Sequence, residues 1–344
     1  MHGHLRTAPS ILFSAALILT GAIALTTTAA FAQSGADFYK GKTLTYIVTT
    51  EPGGGHDYYA RLMARHMEKQ LPGVTIIVKN VPGAGHMIGT NMLYGAKPDG
   101  LTIGTFSTGV TYAQVVGLEG AKFDLTKMEW IGKQASDTRV LFMSSNAPYK
   151  NWDDVINTKR TILIGSTGIG SGGYNESYML AHAWKLDMKV LPGYSGDQQY
   201  MAMARGEMDG RVIGASTVME DSAGIDPGVG VIQFGEALPN VTNGLKIAST
   251  PLQKTVAGIM QSQSEIYRLV AAPPGTPTER LDTLRDAFKK AHMTAEYRAE
   301  ATAANRPFDE KPMEAEEVAR LVKLAIDVGP DMTNLLKQIT AKPK

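Results

Sequence analysis

The stretch Thr43-Leu44-Thr45-Tyr46-Ile47-Val48-Thr49-Thr50-Glu51-Pro52-Gly53-Gly54-Gly55-His56-Asp57 decides the reading of this chain. A strand-like run, Thr43–Thr49, enters a glycine turn that opens a helical pattern over Asp57–Gln70, with Ala60, Met63, Ala64 and Met67 on its apolar face. A second copy of the arrangement follows. Strand-like Val74–Lys79 leads into Asn80-Val81-Pro82-Gly83-Ala84-Gly85-His86 and a helix over His86–Tyr94. Glycine lets backbone N–H groups crowd together with no Cβ between them, and a helix N-terminus adds partial positive charge. Two such turns in one sheet predict an anion grip built from main chain.

The pattern continues outward from there. A strand at Leu101–Phe106 ends at Ser107-Thr108-Gly109, and short apolar strands between amphipathic helices predict a parallel α/β sheet with helices on both faces. Ligands in such sheets bind outside the carboxyl ends of the strands, where all three turns fall.

A second unit begins after Val140–Ser144. Asn151-Trp152-Asp153-Asp154 starts a helix. Strand Thr161–Ser166, the run Thr167–Gly173, a helix over Tyr174–Lys185, strand Met188–Leu191 and strand Gly210–Gly214 follow. The chain returns to the first unit near Tyr267–Ala271, and Glu279–Lys290 and Glu314–Ile326 are strong helices. The expected layout is one domain from residues 33–143 plus 266–344, with a second, 144–265, inserted into it.

Composition bounds the function. Residues 1–32 combine one basic residue (Arg6), an apolar run from Ile11 to Leu25 and Ala30-Phe31-Ala32, the layout of a secretory signal peptide cleaved after Ala32. No later stretch approaches the roughly 18 apolar residues that a membrane span needs, so the expected location is the periplasm. Without that segment the chain carries 33 Lys+Arg against 33 Asp+Glu, a neutral balance that argues against nucleic acid. There is no cysteine, hence no disulfide and no thiolate metal site. No two of the seven histidines share the i, i+4 spacing of a helical zinc pair, so no metal is expected. Neither a nucleotide P-loop nor a G-x-S-x-G nucleophile elbow is present.

The chain resembles the solute-binding proteins of tripartite tricarboxylate transporters, the Bug family. The resemblance rests on Phe38-Tyr39-Lys40-Gly41-Lys42, on Pro52-Gly53-Gly54-Gly55-x-Asp57-x-x-Ala60-Arg61 and on Asn80-x-Pro82-Gly83-Ala84-Gly85. Lys97-Pro98-Asp99-Gly100 and Ala272-Pro273-Pro274-Gly275-Thr276-Pro277 complete it. It implies a two-domain Venus-flytrap architecture of periplasmic-binding-protein type II, each domain a mainly parallel sheet flanked by helices. The implied ligand is a small di-, tri- or aromatic carboxylate, the implied partners are membrane permease subunits, and no enzymatic activity or cofactor is implied. We expect a monomer.

Carried over by position, the resemblance assigns ligand contacts to Gly53, Gly54, Gly55 and His56, and to Gly83, Ala84, Gly85 and His86. Ser107 and Thr108 sit at the third strand end of the same domain. Facing them in the inserted domain are Ser166, Thr167, Gly168 and Ser171, then Tyr194, Asp197 and Gln198. Asp57 is expected to cap its helix and shape the turn. His56 and His86 beside a carboxylate would rise in pKa and add charge, weakening the grip at alkaline pH. Tyr46, Phe106, Tyr112, Tyr174 and Tyr194 are candidate aromatic surface in the cleft or core packing. Arg139 and Arg211 are candidate partners for a second carboxylate, or members of salt bridges.

Two rival readings share these residues. Gly168-Ile169-Gly170-Ser171-Gly172-Gly173 matches G-x-G-x-x-G, with Asp187 about 20 residues on, as in NAD-dependent oxidoreductases. Asp187 precedes its strand, however, where the ribose-binding acid should follow one. A receptor reporting to a sensor kinase would use the same fold and grip.

Overall fold

The computed structural model describes residues 2–3, 35–194, 196–217, 228–235 and 237–340, the side chains of 196–197 and 339–340 excepted. The expected signal peptide thus lies outside the described residues apart from His2 and Gly3. Among the described residues no helix is long and apolar enough to cross a membrane.

Eleven strands form two sheets among the described residues. The first holds β1 (Thr43–Val48), β2 (Thr75–Asn80), β3 (Thr102–Thr105), β4 (Glu129–Lys133) and β11 (Leu269–Ala272), in the order β2-β1-β3-β11-β4. The second holds β5 (Arg139–Met143), β6 (Ile162–Ser166), β7 (Met188–Pro192), β8 (Gly210–Gly214), β9 (Val229–Phe234) and β10 (Thr242–Asn243), in the order β10-β9-β5-β8-β6-β7. Each sheet is parallel except for one strand. β11 runs antiparallel to β3 and β4, and β5 antiparallel to β8 and β9. Each is the first strand the chain makes after crossing from the other lobe. The sheets are therefore mixed, with one reversed strand apiece.

Alternation along β1 shows why these residues form a sheet covered on both faces. Leu44, Tyr46 and Val48 enter one core with Met63 and Met67 of the Gly55–Gln70 helix and Leu284 and Phe288 of the Thr278–Met293 helix. Ile47 enters the opposite core with Leu93, Val110 and Val318. In the second sheet Leu141 and Met143 pack with Met179 and Leu180 of the Gly172–Trp184 helix, while Phe142 faces Tyr200 and Met203. Burying such side chains stabilises by about 2 kcal/mol each.

Two departures from the expected layout concern where the chain changes lobes. Arg139–Met143, grouped by sequence with the first domain, is an inner strand of the second sheet, so the crossing falls between Lys133 and Arg139. The C-terminal helix Gly329–Thr340 packs Met332, Leu335 and Leu336 into the second lobe's core. An apolar run carries no mark of which sheet receives it, so neither assignment could be read from sequence. β4, β9 and β10, together with the helix Pro251–Glu265, were not expected as elements.

Candidate functional site

All the parallel strands of the first sheet end at one edge, and so do β6, β7 and β8 of the second. Because β5 and β11 are reversed, their first residues share that edge: Arg139 pairs with Gly214 at the end of β8, and Leu269 with Lys133 at the end of β4. Between the two edges lies a cavity of about 670 Å³.

The first glycine turn lines it with Gly54, Gly55 and His56. Gly53 does not reach the wall. Its N–H donates to Asp57 Oδ2 (2.9 Å), so Asp57 shapes the turn from the third helical position rather than from the cap, which is Gly54. The same carboxylate accepts from Arg61 Nε (3.0 Å) and Asn80 Nδ2 (2.9 Å), and Asn80 also donates to the Thr50 carbonyl (3.1 Å). Burial alone would raise the Asp57 pKa, but Arg61, the Gly53 N–H and Asn80 hold it below the ordinary carboxylate value. The first intrahelical bond runs from Tyr58 N–H to the Gly54 carbonyl, so the helix itself leaves the N–H groups of Gly55 and His56 unbonded at the cavity.

The second turn lines it with Gly83, Ala84, Gly85 and His86. All four have positive φ, at 116°, 47°, 61° and 78°, a conformation that Ala84 and His86 adopt only under strain. The turn reaches the other lobe. A Cβ on Gly85 would lie 3.1 Å from the Ile169 carbonyl oxygen and 3.3 Å from Ser171 N.

Ser107 and Thr108 complete the first lobe's wall, while Ser166, Thr167 and Gln198 line the second. Gly168 stands behind the wall, its ideal Cβ 3.6 Å from Gly85 N. Ser171 caps the Gly172–Trp184 helix, its Oγ accepting from Tyr174 N–H (3.4 Å). Gly172 and Gly173, at that helix's open N-terminus, take the wall position instead. Tyr194 packs beside Tyr200 outside the cavity. The side chain of Asp197 lies outside the described residues. Tyr46, Phe106, Tyr112 and Tyr174 are buried in the lobes, and none lines the cavity. Asp187, the acid of the dinucleotide pattern, accepts from Thr161 Oγ1 (2.6 Å) and is likewise off the wall.

His56 is 5 % exposed, with no partner on either ring nitrogen. Burial, with Arg268, His86 and Arg139 nearby, pushes its pKa well below the ordinary value. Burial also lowers His86, although its Nδ1 approaches the Thr49 carbonyl at 3.0 Å. Within the chain itself both directions are thus downward, while the expected rise depends on a carboxylate beside the rings. Burial and, for His56, like charge decide the direction.

Arg139 and Arg211, the candidate partners for a second carboxylate, both reach the wall. Arg139 is forked onto Glu176, its Nε 3.0 Å and Nη2 2.5 Å from Oε2, with both side chains buried. Burial opposes the Arg139 charge, but Glu176 lifts its pKa above the ordinary value. Arg211 lies 3.7 Å from the Tyr200 ring centroid. Sequence reasoning missed Glu176, Tyr267 and Arg268. Tyr267 is the aromatic that does line the cavity. Its ring centroid lies 5.2 Å from that of His56, 4.4 Å from the Arg268 guanidinium carbon and 5.6 Å from that of Arg139. Arg139 and Arg268 stand where the chain crosses between lobes, as the sequence pattern expects, and the reversed strands β5 and β11 bring both to the cavity edge.

The family signature described as tripartite tricarboxylate transporter family receptor matches residues 59–329. The chain belongs to that receptor family. Among curated relatives, a UPF0065 protein of Bordetella pertussis is 29% identical over 74% of this chain and 78% of its own length. The fold is that of the periplasmic binding protein BugD, with a TM-score of 0.70 and 19% identity over 88% of this chain and 98% of that one. MatC from Rhodopseudomonas palustris, solved with bound malate, superposes with a TM-score of 0.67 and 20% identity over 87% of this chain and 99% of that one.

Proposed function

We propose that this tripartite tricarboxylate transporter family receptor is exported to the periplasm. There it captures a small carboxylate between its lobes and hands it to the membrane permease, without catalysing a reaction on it. One observation carries the reading. Open helix N-termini from both lobes, at Gly55–His56 and at Gly172–Gly173, face a single cavity whose wall holds three arginines, Arg139, Arg211 and Arg268, against two carboxylates, Glu51 and Glu176. Oriented N–H groups and guanidinium charge in a shielded cavity favour an anion, and malate in MatC is consistent with a carboxylate. The glycine-rich turns suit a ligand brought against main chain, and donors from both lobes give it the differential affinity that drives closure.

Calorimetric titration of the purified chain, unfolded and refolded to strip any ligand carried through purification, tests the reading. The panel is citrate, malate, adipate, glutamate, benzoate and NAD. The reading requires micromolar or tighter binding, about 8 kcal/mol or more, by one carboxylate class and none by NAD. Binding of NAD alone would return the dinucleotide pattern at Gly168–Gly173 to first place.

A further inference from the structure

Three non-glycine residues of the cavity wall hold a left-handed backbone: Ala84, His86 and Arg268, the last at φ 59°. Of the other described non-glycine residues with positive φ, His2, Lys185, Asn240 and Asn305 are all exposed. Arg268 is 1 % exposed. Glycine would fit this backbone without strain, and any L side chain is disfavoured there. A large buried cation at such a position therefore points to use of its side chain.

The guanidinium is placed by packing. It stacks between Tyr59 and Tyr267, at 4.9 and 4.4 Å from their ring centroids, and presses on the first glycine turn. A Cβ on Gly55 would lie 2.3 Å from its Nη2. Its partners within the chain are distant: Asp137 Oδ2 at 3.5 Å and Ser216 Oγ at 3.4 Å, with none on Nε. Asp137 is held more closely by Ser216, through its N–H (2.9 Å) and Oγ (2.5 Å). The five N–H donors of Arg268 call for more than the 3.5 Å ion pair with buried Asp137 and the 3.4 Å contact with Ser216, and Nε has no acceptor. Beside it are the open N–H groups of Gly55 and His56 and the unpartnered ring nitrogens of His56.

We propose that Arg268 is a specificity-determining residue: it meets the ionised carboxylate of a ligand seated at the first glycine turn and makes the site select that anion over its neutral isostere. Main-chain N–H groups donate to a carboxylate and to an amide carbonyl alike, and the helix end adds only partial charge in favour of the anion. A full guanidinium charge widens that preference. The inference rests on the carboxylate reading above.

The test uses the full chain with each carboxylate of the panel above that it binds, titrated against its amide (malamide for malate, adipamide for adipate, benzamide for benzoate). The parent should prefer the bound carboxylate by about 100-fold or more. Arg268→Met, of similar length and without charge, should cut that preference below about tenfold, and Arg268→Lys should fall between them. If Arg268→Met keeps both affinity and preference within about threefold, Arg268 is structural and the inference fails alone. A parent preference under about tenfold overturns it without any variant. A parent that binds no carboxylate of the panel overturns the carboxylate reading and the inference with it.

Discussion

The two glycine turns look alike in sequence and are built differently. The first is held within its own lobe: Asp57 ties Gly53, Arg61 and Asn80 together, and Asn80 ties the turn to the end of β2. The second has few such ties and holds a strained run, Gly83 to His86, whose Gly85 abuts the backbone of residues 169–171 in the other lobe. One turn is therefore preformed, and the other is shaped where the lobes meet. The lobe contact continues at Gly109, where a Cβ would lie 2.3 Å from Gly172 N and 2.7 Å from its Cα.

The largest effect that would break this contrast is at Gly109. Its φ of −54° accepts any residue, so Gly109→Val should fold normally yet keep the lobes from meeting. Ligand affinity should fall by at least about 100-fold, or ~2.8 kcal/mol, in a calorimetric titration. An unchanged affinity would mean that the lobe contact is irrelevant to binding.

Next is the tie that preforms the first turn. Asp57→Ala removes a charged acceptor of three hydrogen bonds and should destabilise the chain by about 2–3 kcal/mol in urea unfolding. Its depressed pKa sets the sign: this stability is present above the unfolded value of 3.8 and is lost as pH falls through the lower folded value. In the parent the loss should appear only below about pH 4, and the Asp57→Ala variant should lack that component.

His56 sharpens the comparison at neutral pH. Its lowered pKa means that the unfolded chain binds the proton more readily. Stability should therefore fall as pH drops below about 6.5, and His56→Gln should flatten that slope. Where a bound anion leaves both imidazoles neutral, ligand affinity should be equal at pH 7 and pH 8.5. A decline toward alkaline pH would restore the charged-imidazole grip.

The smallest effect belongs to Gly85. Gly85→Ala places a Cβ at φ 61° and 3.1 Å from the Ile169 carbonyl oxygen, and about 1 kcal/mol of destabilisation is expected by thermal melting.

Much of this site was legible because glycine turns after apolar strands announce themselves. β1, β2, β3, β6, β7 and β8 all stand within a residue or two of where the sequence pattern put them. What stayed hidden depends on contacts between distant segments. Arg139–Met143 reads as a strand of either lobe until its pairing with β8 and β9 is seen. Arg268 reads as an ordinary charge beside a strand, since nothing local shows that β11 is reversed and delivers it to the cavity edge. The electrostatic setting of the two histidines stayed hidden for a related reason. Burial dominates both, and it is a property of the assembled lobes; for His56 the guanidinium charges of Arg268 and Arg139 then arrive from distant segments.

Gly54 decides whether main chain at the first turn holds the carboxylate. A Cβ there meets no protein atom within 4 Å, so Gly54→Val should keep the parent's melting temperature while adding bulk at a residue that lines the cavity. Titrated beside the parent with whichever carboxylate that chain binds, the variant should lose about tenfold or more in affinity. Equal affinity in a folded variant would place the ligand elsewhere and contradict the account.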